Sequence, residues 1–189
     1  MALWNQYRDK SEVFQLDENH SNFLCLYIDL NKSGKSKPKA TLDKSSKQLE
    51  NLLFDNCGDY QVKHAIELST VKKDELVVSF LKSNELVITN DIDLLVCGFD
   101  EIDKDIDISL KRRIFIRQER IDNPSLLEKH FKNIENHGYA GIAFNIEEIT
   151  RGYVALAHKF NLKIAITSVK HERQLEKAHK CNADEIIAV

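Results

Sequence analysis

Apolar residues in this chain fall into short, nearly unbroken runs separated by amphipathic stretches, and the alternation sharpens toward the C-terminus. Residues 23–30 (FLCLYIDL) form such a run, rich in strand formers, and a strand apolar on both faces belongs in a sheet that is covered on both sides. After the basic loop NKSGKSKPK, Leu42, Leu49, Leu52, Leu53 and Phe54 recur at helical spacing until Gly58 ends the pattern. Residues 62–68 (VKHAIEL) predict a second strand and residues 72–82 a helix, although the Val-Val-Ser-Phe centre of that helix suits extended backbone equally well. ELVIT and DLLVCGF then lie too close together for a parallel crossover, so they read as a hairpin, a helix end followed by a strand, or one bent strand. A single main strand over residues 94–99 is the favoured reading.

Past an acidic loop and the run RIFIR at residues 113–117, the grammar is plain. Asn123 is an N-cap followed by Pro124 at the first helical position, and Leu127, Phe131 and Ile134 line one face until Gly138. Residues 139–145 (YAGIAFN) predict a strand, Thr150 caps a helix carrying Val154, Ala157 and His158, residues 162–169 (LKIAITSV) predict a strand, residues 171–181 a helix and residues 185–189 a closing strand. Strand–helix alternation with doubly buried strands means parallel pairing and right-handed crossovers. The fold class is α/β, as a compact or incomplete barrel or, alternatively, an open doubly wound sheet. Residues 1–22 mix Trp4, Tyr7, Val13, Phe14 and Leu16 with charges and read as an N-terminal arm or short helix beside a single domain over residues 23–189.

Composition narrows the classes of partner. The 189 residues suit one domain, short against the roughly 250 of an elaborated eight-unit barrel. A net charge of −3 gives no general reason to expect nucleic acid. No apolar run approaches the roughly 18 residues of a membrane span and the N-terminus is too polar for a signal peptide, so no membrane insertion and a cytoplasmic location are expected. Cys25, Cys57, Cys97 and Cys181 are scattered without a C-x-x-C and read as small core hydrophobes of a reducing compartment.

Local motifs for chemistry are incomplete. DLNKSGKS invites a phosphate-loop reading, but Asp29 stands where the first glycine belongs and Pro38 where the helix should propagate. Asp103, Asp105 and Asp107 match the first oxygen positions of a calcium loop, yet Ile108 and Ile114 replace its turn glycine and bidentate glutamate. His130 and His137 lack further ligands at matching spacing, and no serine or cysteine sits in a nucleophile signature. Position in the fold carries more information, because functional groups of parallel α/β proteins gather at the carboxyl ends of the strands. Those ends present Asp29 and Asn31, Glu67, Asp100, Arg117 and Glu119, Asn145 with Glu147, and Thr167 with Lys170. Carboxylates and amides beside cations suit a divalent metal and an anionic substrate, the needs of metal-assisted phosphodiester hydrolysis.

Residues 155–187 resemble the closing helix–strand–helix–strand of EAL-type cyclic-di-GMP phosphodiesterase domains, through Ala157-His158, Leu162-Lys163, Val169, Glu172, Gln174-Leu175 and Asp184-Glu185. The resemblance implies a TIM-type barrel. It also places Asn31 as a metal-binding asparagine, IELST at residues 66–70 as a glutamate-bearing strand, and Arg117 and Glu119 where a lysine and an aspartate are expected. Against that pattern Thr167 replaces a catalytic glutamate, Cys97-Gly98 a metal-binding aspartate pair and Thr70 a metal-binding glutamate, while YAGIAFN looks extra. The same segment is also similar to the end of glycerophosphodiester phosphodiesterases, another TIM barrel, with Asp29 and Lys32 echoing a Glu-x-Lys strand. Either family's close also has the general look of a terminal barrel unit.

These resemblances imply a non-catalytic binding or regulatory module that works through a protein partner or a residual nucleotide pocket, with Asn31, Arg117, Asn145 and Lys170 as ligand-binding residues, a cyclic dinucleotide as the ligand, and no resident metal. The alternative is an active phosphodiesterase using Asp29, Glu67, Asp100 and Glu119 with Mg²⁺, Mn²⁺ or Ca²⁺. A third reading is a protein-interaction domain without a small-molecule ligand.

Overall fold

The computed structural model describes residues 1–7, 23–30, 46, 47, 49, 63–70, 74–98 and 105–189. Its strands are β1 (Ala2–Tyr7), β2 (Phe23–Asp29), β3 (Lys63–Ser69), β4 (Ile92–Cys97), β5 (Ile114–Arg117), β6 (Gly141–Asn145), β7 (Lys163–Val169) and β8 (Glu185–Ala188). Between them run α1 (Asp74–Asp91), α2 (Ile108–Lys111), α3 (Pro124–Asn136), α4 (Arg151–Lys159) and α5 (Glu172–Cys181). Each strand pairs in parallel with its sequence neighbours, and β1 also pairs with β8, with Leu3 beside Ile186 and Trp4 beside Ile187. That last pairing closes the barrel. The chain is an α/β TIM-type barrel, and the open doubly wound sheet is ruled out.

Closure corrects the reading of the N-terminus. Residues 2–7 are not an arm or a helix outside the domain but the strand joining the two ends of the sheet. The YAGIAFN unit is likewise not extra, since β6 sits between β5 and β7 as one of the eight staves. Between β3 and β4 the outcome is a helix end followed by a strand. Helix α1 runs on to Asp91 because Val77, Phe80, Leu81 and Ile88 share one fully buried face, and this packing overrides the strand propensity of its valines.

Local chemistry sets the other boundaries. Asn123 Oδ1 accepts from the Ser125 and Leu126 amides at 3.0 and 3.3 Å, Pro124 opens α3, and Gly138 ends it at φ +79°. Thr150 Oγ1 accepts from the Tyr153 amide at 3.3 Å and caps α4. Asp107, the third oxygen position of the incomplete calcium-loop pattern, caps α2 by accepting from the Ser109 amide at 2.7 Å. Of the helix expected over residues 42–54, Ser46, Lys47 and Leu49 are helical and Leu49 is buried. The basic loop at residues 31–39 lies outside the described residues.

Two cores result. The outer faces of the strands, among them Ile28, Ile66, Leu95 and Phe144, pack with Phe80, Leu127, Phe131 and Val154 of the helices. Inside the barrel Trp4, Cys25, Ala65, Leu94, Val96, Phe115, Ala143, Ala165 and Ile187 form a second cluster. The alanines make room there for Trp4 and Phe115. Gly141 permits the close approach of β6 to β7, since a Cβ on it would stand 2.1 Å from the Lys163 carbonyl oxygen.

Candidate functional site at the C-terminal mouth of the barrel

In a closed eight-stranded barrel with a shear of about 8, inward residues stack in layers of four drawn from alternate strands. Strand pairing here makes Cys25, Val96, Ala143 and Ile187 one such layer, from the even strands, and Trp4, Ala65, Phe115 and Ala165 the odd-strand layer beneath it. Both are apolar. The next odd-strand layer, toward the carboxyl ends, comprises Gln6 of β1, Glu67 of β3, Arg117 of β5 and Thr167 of β7. Gln6, Glu67 and Thr167 are each 5–6% exposed, three of only four buried polar or charged residues among those described. The barrel interior therefore changes from apolar to polar at a single level.

Direct contacts tie the layer together. Arg117 Nη2 donates to Glu67 Oε1, and Gln6 Nε2 donates to Glu67 Oε2, so both carboxylate oxygens are engaged. Thr167 Oγ1 lies 3.4 Å from the Phe144 carbonyl. The Arg117 side chain is 30% exposed against 8% for Glu67, so of this pair it is the arginine that meets solvent. It carries five N–H donors, of which the bond to Glu67 uses one.

The thiols near this layer are inert. Burial pushes the Cys25 thiol well above its ordinary range, reinforced by the charge of Glu67. Cys97 is pushed up to about 12 by burial, with Arg117 opposing the shift. Both stay protonated at neutral pH, which leaves neither as a nucleophile.

Of the residues expected at the strand ends, Glu67 and Arg117 come together. Asp29 follows on β2 at the level of Ser69, half-buried, and Glu119 is exposed beyond β5. Asn145 ends β6 exposed, its Oδ1 accepting from the Glu147 amide at 3.0 Å. Lys170 is exposed at the rim, its amide donating to Gln174 Oε1 at 2.8 Å. Asn31 and Asp100 lie outside the described residues. Gln6 is the member of the site that sequence reasoning missed, because the strand carrying it was read as an arm.

No three His, Cys, Asp or Glu side chains converge among the described residues, and the one carboxylate in the polar layer already accepts from an arginine and an amide. Side chains also pair toward the opposite end of the barrel. There the Trp4 indole donates to Glu185 Oε2 at 2.8 Å, and Asp184 accepts from His158 and from the Ile164 amide. No helix among the described residues is long and apolar enough to cross a membrane.

No protein-family model matches the chain, and no curated protein matches it. Similar solved structures include two described as glycerophosphoryl diester phosphodiesterases. The one from Agrobacterium tumefaciens is 14% identical, with a TM-score of 0.47, over 69% of this chain and 55% of that one. The one from Silicibacter pomeroyi is also 14% identical with a TM-score of 0.47, over 75% of this chain and 51% of that one. The chain thus spans about half the length of these structures. Their descriptions name the second family that residues 155–187 resemble, and neither names an EAL-type domain.

Proposed function

We propose that this chain is a non-catalytic binding module of phosphodiesterase-like architecture, taking a phosphate-bearing small molecule at its C-terminal mouth. Arg117 is the principal anion contact, with Asn145 and Lys170 on the rim. The observation that carries this reading is the engagement of both Glu67 oxygens by Arg117 and Gln6. A carboxylate so held orients a guanidinium and is a poor metal ligand or general base. A cyclic dinucleotide and a glycerophosphodiester are the first ligands to try, and a protein partner that reads the bound state completes a regulatory role.

The test is calorimetric titration with both phosphodiesters, with and without Mg²⁺, Mn²⁺ or Ca²⁺. Metal-independent binding that Arg117→Met abolishes supports the reading. If neither compound binds, the small-molecule half is removed and a protein-interaction domain is left.

The second reading is a metal-dependent phosphodiesterase. It is favoured by the placement of Asp29 and Glu67 on adjacent strands, both at inward positions toward the carboxyl ends. Metal-dependent turnover of a glycerophosphodiester, lost in Glu67→Gln, would establish it and overturn the first.

A further inference from the structure

Directly above the polar layer, the same pairing places Tyr27, Gly98, Asn145 and Val189, one from each even strand, as the next ring toward the mouth. Below Gly98 on its own strand, Val96 is fully buried in the inner cluster. Along β4 the inward positions Leu94 and Val96 carry side chains, and Gly98 is the first that does not. Nothing in its backbone demands glycine, since the positive-φ residues are Gly138, Asn161, Ser168 and Asn182. A Cβ built on Gly98 would lie 3.8 Å from Arg117 Cβ and 4.0 Å from Arg117 Cδ, ordinary van der Waals contact. Among the described residues a side chain at this position is thus accommodated, with its Cβ against the aliphatic stem of Arg117.

We propose that Gly98 is the specificity-determining position of the mouth, leaving beside Arg117 a slot for the carbon portion of a phosphate ester. The inference rests on the anion-binding reading above and narrows it. The guanidinium takes the phosphate oxygens, and the apolar stem of the same side chain, which position 98 leaves uncovered among the described residues, packs the carbons next to the ester oxygen. Asn145 does not occupy the slot, because its amide oxygen is turned to the Glu147 amide. The ligand class that follows is an organic phosphate with a slender group attached, bound in preference to inorganic phosphate.

The experiment titrates the full chain with inorganic phosphate and with glycerol 3-phosphate, in the wild type, Gly98→Ala, Gly98→Leu and Arg117→Met. The wild type binds the ester more tightly than inorganic phosphate. Gly98→Leu weakens ester binding at least tenfold while inorganic phosphate stays within twofold, and Gly98→Ala falls between. Unchanged ester affinity in Gly98→Leu, or equal losses for both ligands, overturns the assignment of Gly98 alone. Binding of neither ligand by the wild type, or unchanged binding of both in Arg117→Met, overturns the anion-binding reading and this inference with it. Should Gly98→Leu unfold, Gly98→Ala decides the matter, because its one added carbon meets only ordinary contacts among the described residues.

Discussion

Replacing Arg117 by methionine tests the polar layer most directly, since it keeps the stem and deletes the charge. Glu67 is then left 8% exposed with Gln6 as its remaining partner in the layer. Removing one member of a fully buried pair costs about 3–5 kcal/mol, and the 30% exposure of Arg117 lowers that to about 2–3 kcal/mol because water already screens one end. For a chain of this length that corresponds to a fall in Tm of roughly 5–10 °C. Glu67→Gln should cost less, about 1–2 kcal/mol, because a neutral amide still accepts from Arg117. The double variant removes the stranded charge, so its loss should be smaller than the sum of the singles by about 1–2 kcal/mol. Urea unfolding of the four proteins gives the coupling directly. Arg117→Met within about 0.5 kcal/mol of wild type, or strictly additive losses, would refute the pairing as a structural unit.

Other expectations follow from single features. Gly141→Ala drives a Cβ to 2.1 Å from the Lys163 carbonyl oxygen, a backbone atom that cannot swing away, and should cost at least about 2 kcal/mol in urea unfolding. Phe131→Ala, at a fully buried position against Phe144, should cost about 3–5 kcal/mol by the same assay. Cys25 and Cys97 should resist an aromatic disulfide reagent at pH 8 in the native protein and react on denaturation, and rapid native labelling of either would contradict their burial. Burial raises the Glu185 carboxyl above its ordinary 4.5, so the folded state favours its neutral form; its contribution is full below that value and is lost as pH rises through the raised one. Glu185→Gln should therefore gain stability relative to wild type between pH 4 and pH 7, and a constant difference across that interval would count against the shift.

The legible parts of the fold were those whose signal is local. Asn123 with Pro124, Thr150 and Gly138 declare helix ends through their own backbone chemistry, and the strands over residues 139–145 and 162–169 are apolar because both faces are covered. Strand β1 was hidden for a nonlocal reason. Its inward positions carry Ala2, Trp4 and Gln6, and Gln6 is polar because its partner is Glu67, 61 residues away. A strand whose inner face changes from apolar to polar partway along shows no clean period. Glu67 and Arg117 could be named from their places at strand ends, but their meeting across a 50-residue separation depends on barrel closure, which adjacent-residue patterns do not encode.

The polar layer is also hard to explain as a stability device. A buried arginine–carboxylate pair recovers its desolvation cost poorly, and well-packed apolar side chains of similar volume hold a core equally well or better. The two layers beneath are filled in just that way, with Trp4, Phe115, Val96 and Ile187 against small neighbours. If stability alone governed the third layer, leucine or isoleucine at positions 6, 67 and 117 would serve it. What the charged filling does provide is a guanidinium fixed in orientation by Glu67, itself held by Gln6, and partly open to solvent at the end of the barrel where substrates and ligands enter. Substituting all three positions with leucine should therefore leave the barrel folded, with a stability equal to or above that of the wild type, while abolishing phosphate-ester binding. That divergence between stability and binding is the outcome a recognition site produces and a structural salt bridge does not.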